Sequence, residues 1–128
     1  MRREIKRDIE FAINELKKIK EVKAIYLFGS QATGKAKPYS DIDICVFTKQ
    51  PLSRRIKLKI FGESSKRISI SLFHELPIYI QYRVLRDGKV YLVKDQGMLH
   101  DITVSTMNNY LDFKPTLDSY SEITLRNL

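Results

Sequence analysis

The stretch Ala24–Thr48, AIYLFGSQATGKAKPYSDIDICVFT, decides the fold. An apolar run from Ala24 to Phe28 stops abruptly at Gly29-Ser30. After a short polar excursion come Ile42, Ile44, Val46 and Phe47, β-forming residues with Asp41 and Asp43 interleaved. The pattern reads as strand, tight turn, loop, strand. Side chains alternate faces along a strand, so Asp41 and Asp43 project to one side while Ile42 and Ile44 enter the core. Two carboxylates held side by side repel unless a cation lies between them. Magnesium is the natural candidate, since it takes oxygen ligands and is commonly shared between one or two carboxylates and substrate phosphates. Gly29 lets backbone amides approach closely and Ser30 adds a hydroxyl, which together form a cradle for phosphate. A helical turn over Ser30–Lys35 would aim further amides at the same anion. Lys35 or Lys37 in the following loop can reach phosphate, and Ser40 can bond either locally or to phosphate. A solvent-facing edge strand bearing two acids is the competing reading, and such a strand gains little from adjacent like charges.

Outward from this stretch, Ile5, Ile9, Ala12, Ile13, Leu16 and Ile19 recur at helical spacing and predict a helix over Arg3–Lys20. Val22–Phe28 reads as a central, buried strand. Gln50-Pro51 breaks the chain and Ser53 is a fair N-cap for a helix through Phe61. Ile68–Phe73 alternates with period two, a third strand. A helix starts at Glu75-Leu76-Pro77 and stops at Arg86-Asp87-Gly88, and Lys89–Lys94 is a fourth strand. From Met98 the chain is helical to Asn109 or beyond, with an interruption expected at Lys114-Pro115 and helix again toward Leu125. The apolar load of this tail should cover the sheet and leave a remainder for a partner. The fold class is therefore α/β: a twisted mixed sheet of about four strands with packed helices, and a site at one sheet edge where the Gly-Ser turn faces Asp41 and Asp43.

Bulk properties bound the function. The 128 residues, 43% hydrophobic and 30% charged, suit one domain spanning 1–128 with its own core rather than a disordered chain. No apolar run approaches membrane-spanning length and the charged start MRREIKRD has no apolar signal core, so a cytoplasmic location is expected. Cys45 is the only cysteine, which rules out an intrachain disulfide and suits a small buried side chain. His74 and His100 stand at no ligand spacing, so surface or packing roles are expected. The formal net charge is +8, with Arg54, Arg55, Lys57, Lys59, Lys66 and Arg67 clustered against the single acid Glu63. Such a run either attracts polyphosphate or is a solvated helix face. With no nucleic-acid module and no interleaved aromatics, nucleic acid is not expected as the main ligand.

Gly29-Ser30, a spacer, then Ser40-Asp41-Ile42-Asp43 between two apolar strands resembles the signature of the DNA polymerase β-type nucleotidyltransferases. With Glu75-Leu76-Pro77 and Tyr110-Leu111-Asp112-Phe113, the resemblance covers most of the chain and extends to the minimal nucleotidyltransferase antitoxins of toxin–antitoxin systems. It implies magnesium on Asp41 and Asp43, ATP phosphates on Gly29 and Ser30, and transfer of AMP to a tyrosine of a partner HEPN-domain toxin. The family's third carboxylate, which helps bind a second metal and prepare the attacking hydroxyl, falls at Ser69, with Ser71 the neighbouring possibility. A serine cannot replace a carboxylate as ligand or base, and Glu75 lies beyond the strand. A degenerate member that silences its partner by binding alone is therefore a second expectation. A small-molecule nucleotidyltransferase is the third, weakened by the lack of length for a further substrate-binding domain.

Overall fold

The computed structural model describes the backbone of residues 3–28, 42–65 and 67–126, and side chains within 6–113 of these segments. In chain order the elements are α1 (Arg3–Lys17), β1 (Val22–Phe28), β2 (Ile42–Thr48), α2 (Arg54–Phe61), β3 (Ile68–Leu72), α3 (Ile78–Asp87), β4 (Lys89–Val93) and α4 (Gln96–Arg126). The strands form a four-stranded sheet in the order β3-β2-β1-β4. β1 runs antiparallel to β2 and β4, while β2 and β3 are parallel and joined through α2, the crossover that a parallel pair requires. The sheet is mixed, as the sequence pattern predicts.

Both faces of the sheet are covered, and strand alternation sorts side chains between two cores. Ile42, Ile44 and Val46 of β2 join Ile25 and Leu27 of β1 and Ile68, Ile70 and Leu72 of β3 beneath α1 and α2. Ala24, Tyr26, Cys45, Phe47 and Phe73 form the other core, closed by Val84, Ile80 and Leu85 of α3 and by Leu99 and Ile102 of α4. The Phe47 and Phe73 rings stack at 4.2 Å between centroids, with Tyr26 5.0 Å from Phe47. Cys45 is fully buried, as expected of a small core residue. Among the described residues no helix is long and apolar enough to cross a membrane.

Several boundaries differ from the sequence expectation. α1 ends at Lys17 rather than Lys20, because Lys18 and Ile19 donate three residues back, to Glu15 and Leu16, and tighten the chain into a turn that still buries Ile19. β3 stops at Leu72, and Phe73–Glu75 form a 3-10 turn that drops the Phe73 ring into the second core. The expected interruption at Lys114-Pro115 is absent: α4 runs unbroken from Gln96 to Arg126. A proline deletes one i→i−4 bond and crowds a single carbonyl, and the bonds on either side maintain the helix. Ser53 caps α2 as predicted, its Oγ accepting from the Ile56 amide at 3.3 Å. Gly88 ends α3 by donating to the Val84 carbonyl at 2.8 Å. A Cβ at Gly88 would overlap that oxygen and press on the Tyr26 ring, so only glycine lets α3 turn directly into β4.

Candidate active site

Asp43 sits on β2, which lies between β3 and β1. Asp43 is thus at the end of an inner strand and not on an edge strand of the sheet. The reason is topological: the Gly-Ser connection joins β1 to β2, and pairing β2 with β3 and β1 with β4 makes both of its strands interior. In register, Phe28 of β1, Asp43 of β2 and Ser69 of β3 form one row across the sheet. Neighbouring strands lie about 4.8 Å apart, and residues paired in register share a face. Asp43 and Ser69 are therefore side by side on the α3–α4 side.

Burial along β2 shows where this face opens. Phe47 and Cys45 are sealed, Asp43 is half-buried, and Ser69 beside it is exposed. Water and a ligand can reach the row at Asp43 and no deeper. A carboxylate here has apolar packing behind it and an open side in front, an arrangement suited to a cation bridging protein and phosphate. β3 contributes a hydroxyl and no carboxylate to the row. Among the described residues no group of three or more His, Cys, Asp or Glu gathers at metal-binding distance.

Asp41, Gly29, Ser30, Lys35 and Ser40 lie outside the described residues, as does the helical turn expected over Ser30–Lys35. Phe28 ends β1 opposite Asp43, so the chain leaves β1 beside this carboxylate. Ser71 pairs with Cys45, one step further toward the closed part of the face. Glu75 is far from the row: it sits beyond the end of β3 and forms an ion pair with Lys57 of α2. Of the described residues of the basic run, only Arg67 comes to the Asp43 end of the sheet, just before β3, where its carbonyl accepts from the Ile42 amide at 2.6 Å. α2 covers the opposite face of the sheet, where Arg54, Arg55 and Lys59 are exposed to solvent.

His74 also lies at the far end, its Nδ1 accepting from the Gln50 amide at 3.3 Å while that amide also donates to Thr48 Oγ1 at 3.0 Å. Packing against its neighbours disfavours the imidazolium and pulls the His74 pKa below its ordinary value. Burial pushes the Cys45 thiol up and, together with Cys45, raises the Tyr26 phenol. Neither group is an ionised nucleophile at neutral pH. Tyr110 of the tail stacks on Tyr82 at 3.8 Å and ties α4 to α3, a contact between distant positions that no local pattern signals.

The family described as polymerase beta nucleotidyltransferase matches residues 10–97. A Methanocaldococcus jannaschii protein with the provisional name protein adenylyltransferase is 36% identical over 70 residues, 55% of this chain and 55% of that protein. The aligned part thus spans about half of that relative. Among solved structures, a chain of a toxin–antitoxin crystal structure with AMP-PNP superposes with a TM-score of 0.70 at 20% identity, covering 93% of this chain and 97% of that one. A chain of the complex between a tri-AMPylated Shewanella oneidensis HEPN toxin and its MNT antitoxin gives 0.69 at 18% identity, covering 94% and 98%. At these identities the likeness is one of fold.

Proposed function

Because the chain belongs to the polymerase beta nucleotidyltransferase family, we propose that it transfers AMP from ATP to a tyrosine hydroxyl of a HEPN-domain toxin and acts as the antitoxin of that partner. The observation that carries this reading is the row Phe28–Asp43–Ser69, which sets a half-buried carboxylate on an inner strand beside the end of β1, from which the sequence continues into Gly29-Ser30. The provisional name of the archaeal relative and the toxin–antitoxin complexes of like fold support it.

In this reading Gly29 and Ser30 hold the triphosphate, with Lys35 and Ser40 as further phosphate contacts. Asp43 fits a magnesium site by its open, half-buried position, and Asp41, two residues earlier on the same alternation, is its partner ligand. Magnesium, when bound, neutralises phosphate charge and polarises the phosphoryl group under attack. The tyrosine oxygen bonds to the α-phosphorus, the bond from that phosphorus to the bridging oxygen breaks, pyrophosphate leaves with the electron pair, and the phenolic proton passes to water. The chain's own contribution is mainly orientation, which lowers the barrier without a dedicated base.

Ser69 beside Asp43 favours a second reading, in which the chain silences its partner by complex formation alone. The deciding experiment is the intact mass of a co-expressed HEPN protein incubated with this chain, ATP and magnesium, with Asp43→Asn and Asp41→Asn as controls. Added AMP that disappears in both controls is the expected result. A stable complex without added mass selects the second reading, and no complex removes both.

A further inference from the structure

β3 forms one edge of the sheet and β4 the other, and the two edges are built differently. Exposed lysines, Lys89 and Lys94, stand at the two ends of β4, and its register against β1 slips at Tyr91, which is left unmatched. Lysines and a bulge are ordinary protections of an edge against a further strand. β3, Ile68–Leu72, contains no lysine, proline or glycine and pairs with β2 in unbroken register. Its edge is regular, uncharged and unprotected.

The Ile42 amide donates to the Arg67 carbonyl at 2.6 Å, while Ile42 itself lies opposite Ile68. Alternate residues of a parallel strand bond to the same neighbour. Ser69 and Ser71 therefore turn their amides and carbonyls to β2, and Ile68, Ile70 and Leu72 turn theirs outward. Ile68 is taken up by Ser65, bonded in both directions at 3.3 and 3.0 Å. Among the described residues nothing bonds the outward amide and carbonyl of Ile70 or the outward amide of Leu72. The side chains of both enter the core beneath α2, so their backbone is what the edge presents.

A strand added to this edge extends the row through Phe28, Asp43 and Ser69 by one position. Its residue opposite Ser69 shares a face with Asp43, two interstrand spacings or about 9.6 Å away. Ser69 between them is short and exposed, so the way across is open. Of the three hydroxyl side chains, only tyrosine is long enough to reach over it. Arg54, Arg55 and Lys59 on α2 and Arg67 before β3 are exposed, whereas Glu75 at the far end is paired with Lys57. This charge favours an acidic segment, and it disfavours a second copy, whose own α2 would bring like charges alongside.

We propose that β3 receives, as a fifth strand, an extended acidic segment of the acceptor protein, with its tyrosine opposite Ser69. The proposal rests on the reading that the chain transfers AMP to a protein tyrosine.

Hydrogen exchange of the free wild-type chain, read amide by amide, should alternate along β3, with Ile70 and Leu72 at least about tenfold faster than Ser69 and Ser71. Uniform protection over 69–72 overturns the open edge, and slowing of the Ile70 amide at high protein concentration assigns it to a second copy instead. The isotope-labelled chain is then titrated with acetyl-Glu-Val-Tyr-Val-Glu-amide, with the same peptide N-methylated at both valines, and with its lysine-flanked counterpart. Amide shifts should centre on residues 68–72, and both altered peptides should bind roughly tenfold more weakly or worse. No shift at 68–72, or equal binding of the three peptides, overturns the proposal. Finally, exchange at Ile70 and Leu72 is measured with the HEPN protein present and should slow at least about tenfold. If no complex forms, the functional reading fails while the peptides still decide what the edge takes. If the complex forms and both amides exchange as freely as before, the acceptor docks elsewhere and the proposal is overturned.

Discussion

Replacing Ser69 with aspartate tests the row across the sheet most directly. Adjacent strands place the backbones of positions 43 and 69 about 4.8 Å apart with both side chains on one face. Two carboxylates about 5 Å apart repel by about 3 kcal/mol at an effective dielectric of 20 and by about 0.8 kcal/mol in bulk water. Position 69 is exposed, which draws the cost toward the lower figure, about 1 kcal/mol. For a chain of this size that corresponds to a fall in Tm of about 3–5 °C in EDTA. A divalent cation bound between the carboxylates reverses the sign, so millimolar magnesium should restore the Tm of Ser69→Asp, with much less effect on Ser69→Asn, an uncharged variant of similar size. The same variant should raise the initial rate of AMP transfer by about a hundredfold or more, the scale expected of a positioned acid or base. Calorimetry with and without magnesium, paired with a transfer assay, measures both. If the Asp and Asn variants melt alike and magnesium does not separate them, position 69 does not face Asp43. If the stability effect is present and the rate is unchanged, the missing carboxylate does not limit transfer.

Other expectations follow from the same coordinates. Native Cys45 should resist thiol reagents and react only along the denaturant unfolding curve, because burial both shields the thiol and raises its pKa; rapid labelling of the folded chain would contradict this. Phe73→Ala removes a buried ring stacked on Phe47 and should cost about 3–5 kcal/mol in urea unfolding, so a loss below about 1 kcal/mol would mean that the second core repacks freely. His74 has a folded-state pKa below its unfolded value of 6.5, so its contribution is fully present above that pH and is lost as pH falls toward the folded value. A His74→Gln chain should accordingly show a flatter stability profile between about pH 7 and pH 5, whereas superimposable profiles would remove the effect.

Local chemistry made much of this chain legible. The break at Gly29-Ser30, the alternation around Asp43, the Ser53 cap and the period-two run from Ile68 depend only on neighbours in sequence, and each marks an observed element or boundary. The resemblance to the polymerase β-type nucleotidyltransferases was likewise read from a short spacing within one connection. Long-range pairing was not legible. β2 became an inner strand because β3 and β4 pair outside it and β1, a choice set by which apolar faces can be buried together. That choice set Asp43 at the end of an inner strand. It also placed the basic α2 on the opposite face, carried Glu75 away to Lys57, and put Ser69 next to Asp43. Pro115 is the converse case: a strong local breaker that the continuous backbone ladder of α4 overrides. Sequence alone determined the kinds of elements and singled out the residues proposed to carry the chemistry, because both readings follow from periodicity and turn propensity over a few residues. Tertiary structure decided which of those residues share a face, because register and layer order minimise exposed apolar surface over the whole chain.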